Sequence, residues 1–166
     1  MSNVFLPVIK RSALDSAHTD EAYFELLVQP LHEELYKRND FAFMNDLSDM
    51  QQLFLSYDYV RTQVGQGGFI QFLVNGYAPL LMNMPEWLKL IGLDDMALLI
   101  DDVLKVYVLN NDYFKKEMNV DEFGKLYEEL KEFEELDQRY ENLKEPTLAR
   151  MVTFAKENLQ KFTRIE

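Results

Sequence analysis

The sequence contains no cysteine and only two histidines, so thiol nucleophiles are absent and imidazole groups are scarce. Without cysteine the chain can form neither a disulfide nor a thiolate metal site, which is typical of proteins in a reducing compartment. His18 and His32 do not fit the spacings of zinc proteases or di-iron proteins, so we interpret both as surface residues. We therefore expect no catalytic residue, no metal site and no cofactor.

Long apolar runs and basic residues are also scarce. No apolar stretch approaches the roughly 18 residues that span a bilayer, and no basic segment precedes the short apolar run broken by Pro7. We therefore expect a cytoplasmic protein with no membrane contact. Against 29 acidic residues stand only 17 Lys and Arg, giving a net charge of −12. This charge repels phosphates, so it argues against direct nucleic-acid binding and favours a basic protein partner.

The apolar residues indicate a helical protein with a sizeable core. They make up 48% of the 166 residues and recur at helical spacing from Asp20 onward, with no useful strand alternation. This pattern predicts an all-α fold, a single compact multi-helix bundle of about six to eight helices. We expect one domain over residues 1–166, with an irregular segment and the first helices in 1–45.

Several residues predict where helices begin and end. Ser48 followed by Gln51 has the pattern of a capping box at a helix start. Gly65 is the predicted end of that helix, and Pro146 the predicted start of the last one. Pro30 either kinks one helix or begins a second.

The glycine-rich run 65–68 invites comparison with phosphate-binding loops, but it lacks their other residues. Ile70 occupies the place of the third glycine of a dinucleotide loop, and no Lys-Ser or Lys-Thr pair follows. We interpret the run as a tight turn between helices, with a ligand site at the following amides as the alternative. Gln71 and Asn75 either line a small polar pocket or satisfy loop carbonyls around this turn.

The acidic excess is concentrated in one part of the chain. Residues 117–145 hold eleven acidic and four basic residues, a net charge of −7, and the rest of the chain carries −5. Six of the acids avoid the apolar stripe of a helix that we expect to begin at Val120. These six, which we call the acidic face, are Asp121, Glu122, Glu128, Glu129, Glu132 and Glu135.

Two interpretations of the acidic face remain open. Carboxylates three or four residues apart on a helix have Cβ atoms about 5–6 Å apart, so they form a row of negative charge, as phosphates do along a duplex. Such a row could bind a cationic protein. It could equally be a solvated surface, with Asp121–Lys125 and Glu135–Arg139 as ordinary intrahelical pairs.

Two segments carry a resemblance to a known family. The first has a double glycine, then an aromatic residue, a glutamine with a second aromatic residue, and an asparagine; these are Gly67, Gly68, Phe69, Gln71, Phe72 and Asn75. The second runs from Leu136 through Asp137 to Tyr140. Together they resemble the DNA-mimic-protein C-terminal domain family, and the resemblance implies a family-like helical core over residues 46–162. Gly65-Gln66 stand where that family usually has asparagines.

The resemblance implies an all-α fold and a homodimer, in a family that includes a DNA mimic bound to a transcription regulator. Our leading hypothesis is a non-enzymatic acidic binding protein that sequesters a DNA-binding protein or transcription regulator. One alternative is an interaction or immunity-type protein with a hydrophobic surface, for which residues 41–44 are candidates. The other is a small-ligand binder at the double-glycine turn.

Overall fold

The computed structural model describes residues 4–115 and 117–166, and this part of the chain is all-α, as predicted. Its α-helices are α1 (Arg11–Asp15), α2 (Asp20–Arg38), α3 (Asp49–Val74), α4 (Met84–Leu90), α5 (Asp94–Leu109), α6 (Val120–Glu129) and α7 (Glu132–Glu157). Short 3₁₀-helices cover Phe41–Asp46, Ala78–Leu81, Asn111–Phe114 and Leu159–Lys161. Strands β1 (Val8–Ile9) and β2 (Arg164–Ile165) pair in parallel.

The described residues fall into two units. Unit 1 comprises the described residues up to Leu55 together with Glu145–Glu166, and unit 2 is Ser56–Lys144. Helices α3 and α7 have residues in both units. The expectation of one domain over the whole chain stays a prediction.

Aromatic residues form the centre of unit 1. The rings of Phe24 and Phe54 stack with centroids 5.3 Å apart, and Phe162 lies 4.5 Å from Phe54. All three side chains are buried. Aromatic pairs at this separation stabilise a core beyond the burial of their area, which explains why β2 and the preceding turn stay attached to α2 and α3.

The predicted capping box at the start of α3 is confirmed. The Gln51 amide donates to Ser48 Oγ at 3.2 Å, and the Ser48 amide donates to Gln51 Oε1 at 2.9 Å. Gln51 is completely buried, and its Nε2 donates to the carbonyls of Phe5 and Phe162 at 2.8 and 3.3 Å. One side chain thus caps a helix and joins two distant segments of unit 1.

Unit 2 is built around a helical hairpin. Helices α4 and α5 are joined by a turn in which Gly92 has a φ of 81°, a conformation that favours glycine. The apolar residues at helical spacing in α5 are buried, including Met96, Leu99, Ile100 and Val103. Phe69 and Phe72, from the second half of α3, are also buried in unit 2.

One predicted helix boundary is two residues too early, and another is wrong. Helix α3 continues past Gly65, and its backbone departs from helical geometry only at Gly67 and Gly68. Helix α7 begins at Glu132 and passes through Pro146. A proline inside a helix costs about 3 kcal/mol, but buried residues on both sides of it, Tyr140 before and Met151 after, favour one continuous helix.

The first 45 residues also contain more regular structure than expected. The segment predicted to be irregular carries β1 and α1. Pro30 lies inside α2, which runs from Asp20 to Arg38 without ending there. Within residues 4–115 and 117–166, no helix combines the length and the apolar content that crossing a bilayer requires.

The central role of Gln51 in unit 1 gives a stability prediction. Gln51→Ala should lower the free energy of unfolding by about 2–4 kcal/mol, because it leaves buried polar groups without partners. Urea denaturation measures the change. Gln29→Ala is the matched control, since Gln29 is exposed and bonds only to Glu33 among the described contacts. Equal effects of the two substitutions would contradict the role given to Gln51.

Candidate partner-binding surface

Helix α6 presents four members of the acidic face to solvent. It begins at Val120 because Asn119 Oδ1 accepts a hydrogen bond of 2.8 Å from the Glu122 amide and caps the helix. Leu126 is its one buried residue in the described structure, with Phe123 and Tyr127 half-buried beside it. The opposite side carries Asp121, Glu122, Glu128 and Glu129, all exposed, with Lys125 among them.

The remaining two members lie on a different helix, contrary to the prediction of one continuous acidic helix. Helix α6 ends at Glu129, and Leu130 leaves helical geometry with φ −110° and ψ 59°. Glu132 and Glu135 therefore belong to the beginning of α7, and both are exposed. The chain breaks here because Leu130 and Phe133 are both buried, at 3% and 1% exposure, and each must reach the core. The carboxylate spacing expected on one continuous helix therefore does not hold between the acids of α6 and those of α7.

The predicted intrahelical ion pairs are not formed. Arg139 pairs with Asp102 on α5, with Nη1 2.7 Å from Oδ2, instead of with Glu135. Lys144 pairs with Glu141 at 2.7 Å. Among the described residues, none of the six acidic-face carboxylates lies within 4 Å of a cationic group. The acidic face therefore forms no ion pair with its described neighbours, although Lys125 lies among its members on α6.

The sequence prediction missed other acids beside this face. Glu134 and Glu141 lie on α7, and both charges contribute to raising the pKa of Asp137. Their spacing of seven residues, with Asp137 between them, puts all three on one side of the helix. The same period could have identified them, but the prediction considered one helix that began at Val120.

The double glycine is a kink within α3. Gly67 has φ −148° and ψ 19°, and Gly68 has φ 73° and ψ −176°, so the helix is interrupted and restarts at Phe69. The Phe69 amide donates to Asp137 Oδ1 at 2.8 Å, as an N-terminal amide does to a capping carboxylate. The interpretation of a sharp structural turn therefore agrees with the geometry.

Side chains fill the space beside both glycines. A Cβ atom on Gly67 would overlap the side-chain oxygen of Gln71, and one on Gly68 would lie 2.9 Å from the Asp137 Cγ. No methyl group fits in either place. The space that a Cβ atom would need at each glycine is therefore already taken by a side chain.

The amides of Gln71 and Asn75 have partners that the sequence analysis did not foresee. Gln71 Nε2 donates to the side-chain oxygens of Gln63 and Gln66, each at 3.2 Å. Asn75 Nδ2 donates to the same Gln63 oxygen at 2.7 Å. These bonds link side chains across the kink instead of satisfying loop carbonyls, so both amides help to hold the two halves of α3.

Aromatic residues of both family-like segments pack in unit 2. Phe69 and Tyr140 meet edge to face with centroids 6.0 Å apart. Phe72 packs against Tyr77 at 5.6 Å. Burial raises the pKa of Tyr140 to about 12, so its hydroxyl stays protonated in the core. The two segments are thus joined by a ring contact as well as by the bond of Asp137 to Phe69.

Helix α6 has its own bond to the kink. The Tyr127 hydroxyl donates to the Gly67 carbonyl at 2.5 Å. Burial, with the nearby Asp137 carboxylate, raises the pKa of Tyr127 and so keeps the proton that the hydroxyl donates. The sequence analysis did not single out this residue, because the two partners are 60 positions apart.

Asp137 is the carboxyl group that accepts a hydrogen bond from the kink. Burial raises its pKa above the ordinary value; the Phe69 amide opposes this increase, and Glu134 and Glu141 add to it. Of the acids in residues 117–145, Asp137 is therefore the one whose protonation affects the backbone of α3 directly.

The other candidate sites of the sequence analysis have little support. No group of three His, Asp or Glu side chains in residues 4–115 and 117–166 is arranged to hold a metal ion. Within the 41–44 connection Phe43 is buried at 2% exposure and Phe41 is 53% exposed. A hydrophobic surface there would rest mainly on one aromatic side chain.

Comparison with known proteins adds one finding. A family model described as DMP19-like protein matches residues 45–158. This range includes the kink, α6 and both family-like segments. No curated protein sequence matches the chain.

The kink geometry predicts that alanine at Gly68 and alanine at Gly65 have different effects on stability. Gly68→Ala should lower the free energy of unfolding by about 2–4 kcal/mol, because it adds positive-φ strain and an overlap with Asp137. Gly65→Ala should leave stability unchanged or raise it by up to about 1 kcal/mol, since its Cβ meets nothing within 4 Å. Urea denaturation of both variants is the measurement. Similar values for the two would argue against the kink described here.

The raised pKa of Asp137 predicts a pH dependence of stability. The folded protein holds this proton to higher pH than the unfolded chain does. The residue should therefore make the free energy of unfolding fall as pH rises from about 4 to the folded pKa. Asp137→Asn should lack this fall in urea titrations between pH 4 and 7, with Glu157→Gln as the control for losing one carboxylate. A constant difference between wild type and Asp137→Asn over that range would contradict the assignment.

Proposed function

The chain belongs to the DMP19-like protein family, and from this premise we propose that it is a non-enzymatic DNA mimic that occupies the DNA-binding surface of a basic protein. The partner class is a DNA-binding protein such as a transcription regulator. The observation that carries the proposal is the acidic face: six exposed carboxylates without a cationic partner among the described residues.

Electrostatics explains why such a surface suits this partner. A DNA-binding protein gathers lysines and arginines to neutralise phosphates. Exposed carboxylates attract the same side chains, and they speed association by long-range steering that salt screens. Arginine forks also bind carboxylates and phosphates in the same two-pronged way. The negative net charge of −12 keeps the protein itself away from nucleic acid.

The homodimer implied by the family is part of the proposal. DNA-binding dimers contact two half-sites about one helical turn apart. Two copies of the acidic face would present two such regions to a dimeric partner. Sedimentation equilibrium at micromolar concentration tests the oligomeric state independently of any partner.

A second candidate is a protein that binds partners through apolar contacts. Val108 and Leu109 are adjacent at the end of α5 and are 68% and 83% exposed, so two apolar side chains face solvent side by side. Binding through such a surface would change little with salt, whereas binding through the acidic face would weaken steeply.

The proposal predicts which protein should be captured and how it should be released. The immobilised protein should retain a DNA-binding protein from a lysate of its source organism, and duplex DNA should elute it. The variant E128Q/E129Q/E132Q/E135Q should bind that protein about tenfold or more weakly, since each exposed pair is worth a few tenths of a kcal/mol. Binding is measured by titration calorimetry of the captured protein.

The matched control removes four exposed glutamates of unit 1. The variant E25Q/E33Q/E145Q/E157Q has the same net charge as the test variant but keeps the acidic face. It should bind as the wild type does. Equal losses in the two variants would mean that total charge, and not this surface, governs binding.

A further inference from the structure

Two side chains tie the two acid-bearing helices to the same place. Tyr127 of α6 donates to the Gly67 carbonyl at 2.5 Å, and Asp137 of α7 accepts the Phe69 amide at 2.8 Å. Both backbone groups are available because Gly67 and Gly68 interrupt the helical hydrogen bonds of α3. The kink therefore offers an acceptor to one acid-bearing helix and a donor to the other.

Neither tie belongs to the acidic face itself. Tyr127 is half-buried, on the side of α6 that also carries Leu126, whereas Asp121 and Glu128 lie on the opposite side. Asp137 is half-buried against Gly68. A partner that binds the exposed carboxylates therefore need not contact either side chain.

The break at Leu130 makes these ties necessary. Because α6 and α7 are separate helices, the helical period does not fix the distance between Glu129 and Glu132 or between Glu128 and Glu135. Each helix must be placed by contacts with the rest of unit 2. The bonds at the kink supply a direction as well as a distance, which apolar packing alone does not.

We propose that Tyr127 and Asp137 are positioning residues, which set the acidic face in register by holding α6 and α7 to the double-glycine kink. This inference rests on the proposed function, since it assumes that the acidic face binds a cationic surface. It assigns a role to the signature glycines: they expose the backbone groups that place the carboxylates.

Tyr127→Phe gives the sharpest test, because it removes one hydrogen bond and changes no charge. The probe is an alanine-based helical peptide with an arginine at every fourth residue, whose charges have a fixed spacing. Tyr127→Phe should weaken peptide binding about threefold to tenfold and reduce the slope of log Kd against log salt concentration. Tyr36→Phe is the control, since Tyr36 is 89% exposed and should behave as wild type.

Asp137 is tested by a pair of variants that separates its acceptor from its charge. Asp137→Ala should weaken peptide binding and speed hydrogen exchange at the Phe69 amide. Asp137→Asn keeps an acceptor oxygen and should restore most of the affinity, although it removes the same charge. All variants are compared where urea titration shows each to be folded, so that loss of fold does not count as loss of register.

The outcomes separate the two proposals. If wild type binds the peptide no better than E128Q/E129Q/E132Q/E135Q does, the proposed function fails, and this inference fails with it. If that variant loses binding but Tyr127→Phe and Asp137→Ala bind as wild type does, only the positioning roles are overturned. Unchanged hydrogen exchange over residues 120–135 in Tyr127→Phe would overturn the positioning role of Tyr127.

Discussion

The hydrogen bond from the Phe69 amide to Asp137 is the constraint on which much of unit 2 depends. This bond caps the part of α3 that restarts after Gly68, and it holds α7 against the kink. The Asp137 carboxylate also fills the space that a Cβ atom on Gly68 would need. Tyr127 adds α6 to the same point through the Gly67 carbonyl. The acidic helices α6 and α7 are thus bonded to α3 at its two consecutive glycines.

The fold was predictable where the signal is local. Ser48 and Gln51 are three residues apart, so their reciprocal capping could be inferred from sequence, and helical apolar spacing predicted an all-α fold. The glycine and proline rules failed where tertiary packing decides. Gly65 stays helical because nothing requires it to leave, and Pro146 is tolerated because buried residues flank it in α7. Only coordinates distinguish such cases.

The candidate surface was predicted in composition but not in arrangement. Counting charges found residues 117–145, whereas the break at Leu130 depends on how two buried side chains reach the core. Asp137 was named only as part of a family-like segment, because its partner is 68 positions away. The family-like segments therefore contain Asp137, which supports the surface, whereas the six acids of the acidic face lie outside both segments.

The proposed mimicry requires that this protein and duplex DNA compete for one surface of the same partner. A fluorescence-anisotropy titration of the captured protein, bound to a labelled duplex, tests this most directly. Added protein should release the duplex completely, with a midpoint that rises as duplex concentration rises. Duplex that stays bound while this protein also binds, forming a ternary complex, would contradict the claim.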